Sequence, residues 1–562
     1  MQRSRLLLTT VLSTLLAAPL AALSDAGSAL PPGVQAALKG QQIGLYSSDA
    51  FRLTSGDCQD CPGTRQGLWY FRGDTIAVPK EKAAGFDPGL RVQDDIRHWY
   101  GQYKQGEGSL PPLLWVGSPQ VAQGRFDAQA NQLQSADGPS LPVQLVPKLD
   151  SNLSYYNENS RRFFADRRVK ARGHFEAGHF VARSLWPQDF SLAGGLLQVS
   201  PLAANQRLSD LVRADGGNPG GLETRLLWSQ TGSPVSLNGK PVLAFILNGA
   251  QGDDDEAHGG HFAVATGRFG AAGEWDDWLV NNFYGLDSVS EKGIIAAMLP
   301  MDAYQADLNS GQSWYRPSYM VVAVLRQERA PRLYQEAIAR AFNHFYRHDF
   351  AYNHATANCA GINLETLRSL GWQIPLQGPD SRLKAAVALP YMAIKDGSLE
   401  SGRKAYEYLS AERTSLYPFV AFEAVGEYLL SQAQGQRVAK GDFERMLSED
   451  LEALLFVRIP QFPSSRALGG APVASLDEYM ERTPKDRADW KIIPVPPRPF
   501  PDAFRDPAAP GEPISPSSWA LLAYGVALSG LALFGLRRWR RKQAHATALA
   551  DMSRTADSSQ SL

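Results

Sequence analysis

The chain has 562 residues, 44% of them hydrophobic, and its 56 basic and 57 acidic side chains leave a formal charge of −1. That length predicts roughly three or four domains, and the apolar fraction excludes a disordered chain. A balanced charge without a basic stripe excludes nucleic acid as a partner.

In chain order, Arg3 and Arg5 precede an apolar stretch over residues 6–20 and small residues around Ala21, Ala22 and Ser24. These are the three parts of a secretory signal, expected over residues 1–24. After a Pro/Ala/Gly approach, residues 41–149 mix short apolar runs (67–71, 113–116 and 143–146) with Gly, Pro and Asp turns, the pattern of a β-rich module. Cys58 and Cys61 lie in it as Cys-Gln-Asp-Cys. Pro62-Gly63 argues against the helix a redox dithiol wants, and no second ligand pair for zinc is near, so a local disulfide is expected in an oxidising compartment. Cys359 is then left as a free thiol.

Residues 150–375 read as the catalytic domain, with its core at 244–370. A basic run over 161–172 is followed by His174, Glu176 and His179. A metal site there is the weaker reading, because two histidines five apart do not share a helical face. Strands are expected at 196–199, 242–247, 262–266, 278–285 and 319–325. Between the second and third lies a Gly- and Asp-rich loop. Its Asp253 to Glu256 run reads as a solvated loop or, less favoured, a Ca²⁺ site. It also contains His258 and leads into His261. Residues 331–345 form a helix ending near His344 and His348, whose i, i+4 spacing finds no third metal ligand.

Asn358 is an acceptable N-cap, and Leu364, Leu367, Leu370 and Gly371 predict about three helical turns with Cys359 in the first. Beyond, helices at 381–394, 403–411, 417–433 and 441–455 predict an α-helical region over 376–490. A Pro-rich spacer (491–517) leads to 18 uncharged residues at 519–536, followed by Arg537, Arg538, Arg540, Arg541 and Lys542. That pattern predicts a single transmembrane helix with residues 537–562 as a cytoplasmic tail, or alternatively a cleavable C-terminal sorting signal. The expected location is the inner membrane, single-pass, with the globular part in the periplasm or outside the cell.

A thiol at a helix N-terminus is favoured as thiolate by the helix dipole, and it needs a base and a group to orient that base. His261 at a strand start and an amide on the neighbouring strand, Asn281 or Asn282, meet those needs. At Gly259-Gly260-His261-Phe262-Ala263-Val264 and at Tyr352 with Asn358-Cys359, the sequence resembles the circularly permuted NlpC-type papain-like superfamily. That group includes the lecithin:retinol acyltransferase-like proteins. The resemblance covers roughly residues 244–370. It implies Cys359 as nucleophile, His261 as base (His258 being the weaker choice), Asn281 or Asn282 as the orienting residue, and Asn358 and Tyr352 as oxyanion or support residues. It implies an α+β fold: a permuted papain-like catalytic domain of antiparallel sheet plus cysteine helix. The rest of the chain adds the β-rich N-terminal module, the α-helical C-terminal appendage and one transmembrane helix.

The implied chemistry is acyl transfer through a thioester on an amide or ester bond, with no cofactor or metal. The expected partners are a peptidoglycan peptide, lipid or lipoprotein substrate and the membrane through the C-terminal helix. The competing expectation is a non-catalytic, anchored envelope-assembly or binding protein on a degenerate papain-like fold.

Overall fold

The computed structural model describes most of residues 87–460 and two short strands ahead of them. The chain divides into two compact units, one of Met1–Gly378 with Glu412–Ala509 and one of Pro379–Ala411 with Pro510–Leu562.

The first unit begins with an antiparallel pair, β1 (Ile43–Ser47) and β2 (Thr75–Pro79), followed by helix α1 (Val92–Lys104). A closed five-stranded barrel comes next: β3 (Gln120–Asp127), β4 (Gln132–Gln134), β5 (Leu141–Leu145), β6 (Arg168–Glu176) and β7 (His179–Pro187). Its order is β3-β4-β5-β7-β6, closed by β6 on β3, with one parallel pairing, β5 on β7. Phe126, Leu133, Val143, Val169, Ala171, Phe180 and Ala182 are buried in this region. The β6–β7 turn places Ala177 at φ 47° and Gly178 at φ 83°, the double left-handed geometry of a tight two-residue hairpin.

The main sheet is built from α2 (Leu208–Asp215), β8 (Glu223–Ser229), β9 (Pro241–Asn248), β10 (His261–Arg268), β11 (Leu279–Asn282), β12 (Ala297–Pro300), α3 (Met301–Asn309), β13 (Ser318–Leu325), α4 (Arg329–Tyr346) and α5 (Cys359–Ser369). After an excursion into the second unit, made of α6 (Arg382–Lys395) and α7 (Leu399–Ser410), the chain returns with α8 (Arg413–Leu416), α9 (Pro418–Ala433), α10 (Asp442–Asp450) and β14 (Leu451–Ile459). The seven strands are antiparallel in the order β12-β11-β10-β9-β13-β14-β8. Every residue of β9 and β13 is buried, which is why both read as unbroken apolar runs rather than as alternating ones. Helices α4, α5 and α9 pack on β9 and β10.

Two polar clusters brace this unit. Arg172 of β6 is 1% exposed and gives its Nε to both carboxylate oxygens of Asp302 at 2.8 and 2.7 Å, while Lys170 meets Asp276. The basic run seen in sequence thus spends two cations on tying the barrel to the sheet domain. On the other side, Asp95 of α1 accepts from Arg340 at 3.1 and 2.6 Å and bonds His344 Nε2 at 2.9 Å, and His344 Nδ1 bonds Asp349.

Several expectations need correction. The barrel spans residues 120–187 and so crosses the boundary expected at 149/150; its closure depends on pairings between distant strands that local pattern does not reveal. The region 376–490 is not all helical, since α10 ends at Asp450 and β14 fills an interior place in the main sheet. An apolar run as short as this one satisfies a buried strand as readily as a helix. Of the strand expected at 196–199, Val199 makes an isolated bridge to Leu226.

No helix among the described residues is long and apolar enough to cross a membrane, so the transmembrane helix and the single-pass membrane location are not supported. Residues 519–536 lie outside the described residues, as do the signal over 1–24, the spacer and the tail. Among the described residues there is no cysteine pair able to form a disulfide; Cys359 is free, and Cys58 and Cys61 lie outside them.

Candidate active site

Cys359 opens α5. Asn358, in extended conformation at φ −93° and ψ −176°, caps the helix by accepting the Gly361 N–H at 2.8 Å. Its amide donates to the carbonyls of His354 and Leu416, both at 2.8 Å. With both ends of the amide engaged, Asn358 positions the cysteine turn and is not a donor to an oxyanion. At the other end Gly371 takes φ 94°, the left-handed conformation that terminates a helix. Farther into the first turns, Asn363 donates to the Cys359 carbonyl at 2.7 Å and accepts from the Tyr334 hydroxyl at 2.5 Å.

His261 is the first residue of β10 and pairs across the ladder with Asn248, the last residue of β9. Gly260 before it sits at φ 89°, a conformation that lets the chain turn abruptly into the strand and that a side chain would strain. His261 Nε2 lies 2.6 Å from Asn282 Oδ1 on β11. An amide oxygen can only accept, so Nε2 carries the proton and Nδ1 is left to face the thiol. The sequence left Asn281 and Asn282 as alternatives, and the strand separates them. Asn282 bonds the histidine. Asn281 points to the opposite face, where it exchanges hydrogen bonds with Gln335 of α4 at 3.1 and 3.0 Å and donates to the Val264 carbonyl.

Cys359 and His261 are hydrogen-bonded and almost wholly buried. Burial alone would raise the Cys359 thiol pKa. The charge and hydrogen bond of His261, the Phe262 backbone N–H and the Tyr352 hydroxyl outweigh it, and the thiol titrates below its ordinary range. Burial alone would likewise lower His261, but the charge and hydrogen bond of Cys359 and the Asn282 amide raise it. The two shifts describe one thiolate–imidazolium pair. Tyr352 serves the cysteine twice, because its hydroxyl also lies 3.4 Å from the Cys359 N–H. Its ring packs on Tyr284 and edge-on to His354.

One residue near the pair was not singled out in the sequence. Tyr304 of α3 is fully buried, its ring centroid 6.5 Å from that of His261, and the charge of Cys359 adds to burial in raising its hydroxyl pKa. It donates to Asn248 Oδ1 at 2.5 Å, and Asn248 in turn donates to Ser318 at 2.9 Å. The helix that carries Tyr304 has weak amphipathic patterning, so nothing in sequence marked it.

The other sequence candidates fall elsewhere. His174 and Glu176 lie 3.5 Å apart at the tip of the β6–β7 hairpin, and His179 there bonds the Ala177 carbonyl. His344 belongs to the Asp95 cluster. Among the described residues, no group of three or more His, Cys, Asp or Glu is placed to hold a metal. His258, His348 and the Asp253 to Glu256 run lie outside the described residues. No family model, curated protein or solved structure matches the chain.

Proposed function

We propose that the protein is a cysteine hydrolase or acyltransferase that cleaves an amide or ester bond through a thioester on Cys359. The observation that carries this reading is the chain Cys359–His261–Asn282, assembled from a helix start and two neighbouring strands.

In the first half-reaction the Cys359 thiolate attacks the substrate carbonyl and a C–S bond forms. The carbonyl electron pair moves to oxygen, and the positive N-terminal end of α5 favours the charge that develops there. As that pair returns, the bond to the amine or alcohol breaks, and imidazolium His261 gives its proton to the leaving group. Neutral His261 then takes a proton from the acceptor, which attacks the thioester and releases the thiolate. Water as acceptor makes the protein a hydrolase; an amine or hydroxyl makes it an acyltransferase. Asn282 holds the imidazole in the one tautomer that presents Nδ1 to sulfur.

The test is thiol reactivity followed against pH, with turnover of a thioester-forming acyl substrate beside it. Iodoacetamide should alkylate Cys359 with a midpoint below that of an ordinary thiol, near 8.5. His261→Ala should move the midpoint up, and both His261→Ala and Cys359→Ala should abolish acyl transfer without unfolding the chain. A wild-type midpoint at the ordinary value would overturn the nucleophile assignment. Peptide, lipid and lipoprotein acyl donors, assayed side by side, identify the bond.

A further inference from the structure

Among the described residues, the α6–α7 hairpin carries an apolar stripe that the packing of its two helices leaves exposed. Helix α6 buries Ala385 and Leu389, and α7 runs so close that a Cβ added to Gly402 would come within 2.3 Å of the Leu389 carbonyl. On the far side of α6, Leu383, Val387, Tyr391 and Ile394 are 76, 60, 62 and 82% exposed, and Leu399 at the head of α7 is 59% exposed. At 100° per residue the four α6 residues fall within an arc of about 80°, centred roughly opposite the buried pair. Among the described residues the other large exposed apolar side chains are Leu376 and Val438, which stand singly.

The charges on α6 itself have one sign. Helix α6 contains Arg382, Lys384 and Lys395, all exposed, and no acidic residue. None of the three has a carboxylate partner among the described residues. Lys384 and Lys395 lie within about 40° of Tyr391 on the helix surface. From there their methylene stems can lie along the apolar surface while the ammonium groups reach outward. The cations of α7 differ: Arg403 and Lys404 are both paired with Glu400.

We propose that the α6–α7 hairpin docks on an anionic lipid surface. The stripe would enter the boundary between headgroups and acyl chains, and Lys384 and Lys395 would meet lipid phosphates. With its other side packed on α7, α6 offers an exposed apolar stripe edged by lysines, and that pairing of apolar area with cations is complementary to an anionic lipid surface. Such a helix does not span: 14 residues reach about 21 Å, short of the ~30 Å hydrocarbon core. A second copy of the chain is the disfavoured occupant, because a two-fold pairing of identical stripes would bring like charges together. The proposal does not depend on the thiol chemistry.

Hydrogen exchange of residues 382–395 in the full chain tests it, since the readout is local to α6. Adding phosphatidylglycerol vesicles should slow exchange there about tenfold, and phosphatidylcholine vesicles should slow it less. Val387→Glu with Ile394→Glu should cancel the protection. Lys384→Glu with Lys395→Glu should weaken binding to the anionic vesicles by tenfold or more, at about 1 kcal/mol per cation. All four positions are exposed, so these variants keep the fold. Exchange unaffected by phosphatidylglycerol, or slowed equally in the Val387/Ile394 variant, would overturn the proposal. So would protection that grows with protein concentration without lipid, which would assign the stripe to a second copy.

Discussion

At the scale of single residues, the adjacent asparagines on β11 show how alternation along a strand divides labour. Asn282 supplies one hydrogen bond to a histidine that must be held in one tautomer. Asn282→Ala should lower turnover by about tenfold to a hundredfold, the worth of a bond to a charged group, with the melting temperature little changed. Asn281→Ala should do the reverse. It leaves the buried Gln335 amide short of partners at a cost of about 1–3 kcal/mol, so the melting temperature falls while turnover per folded molecule holds. Tyr352 offers a third contrast. Tyr352→Phe removes a hydroxyl that favours the thiolate, so the alkylation midpoint of Cys359 should rise. Cys359 and His261 could be picked from the sequence, because cysteine is rare here and His261 stands beside a turn glycine, whereas Tyr352 came only from the family resemblance. The choice between two neighbouring asparagines could not, since it depends on which face of β11 looks toward the histidine. Tyr304 could not either, because its neighbours, Asn248 and His261, come from β9 and β10.

At the scale of elements, helix α4 is tied to α1 through charge as well as through apolar packing. Asp95 is fully buried and takes hydrogen bonds from both Arg340 and His344. Burial pushes its carboxyl up, but the bonds and charges of His344 and Arg340 outweigh that and hold it below the ordinary carboxylate range. A carboxylate depressed in the folded state adds stability above its unfolded pKa, near 3.9. That stability is lost as pH falls through the folded value. Asp95→Asn should therefore cost about 3–5 kcal/mol at neutral pH, because it leaves the Arg340 charge buried without a counter-ion. It should also flatten the acid limb of a stability-versus-pH curve measured by urea unfolding. The elements themselves were largely legible. β9, β10 and β13 announced themselves as apolar runs, and α4, α5 and α9 by their periodicity. The barrel and β14 were not, because a short strand acquires its identity from partners far away in sequence.

At the scale of the whole first unit, β14 is the strand on which the sheet depends. It lies between β13 and β8, which have no other connection across the sheet. A chain ending at Asp450 should expose two unpaired edges and aggregate, as seen by light scattering, even though Cys359, His261 and Asn282 are all present. This placement also sets a schedule for synthesis. β13 is complete at Leu325, while its partner begins at Leu451. At 5–20 residues per second, that strand edge waits on the order of ten seconds for its neighbour to emerge. The thiol is thus made well before the sheet that supports it can close, so the nascent chain passes through an interval in which the Cys359 thiol and an open β-edge coexist. An engaged chaperone would be needed most during that window.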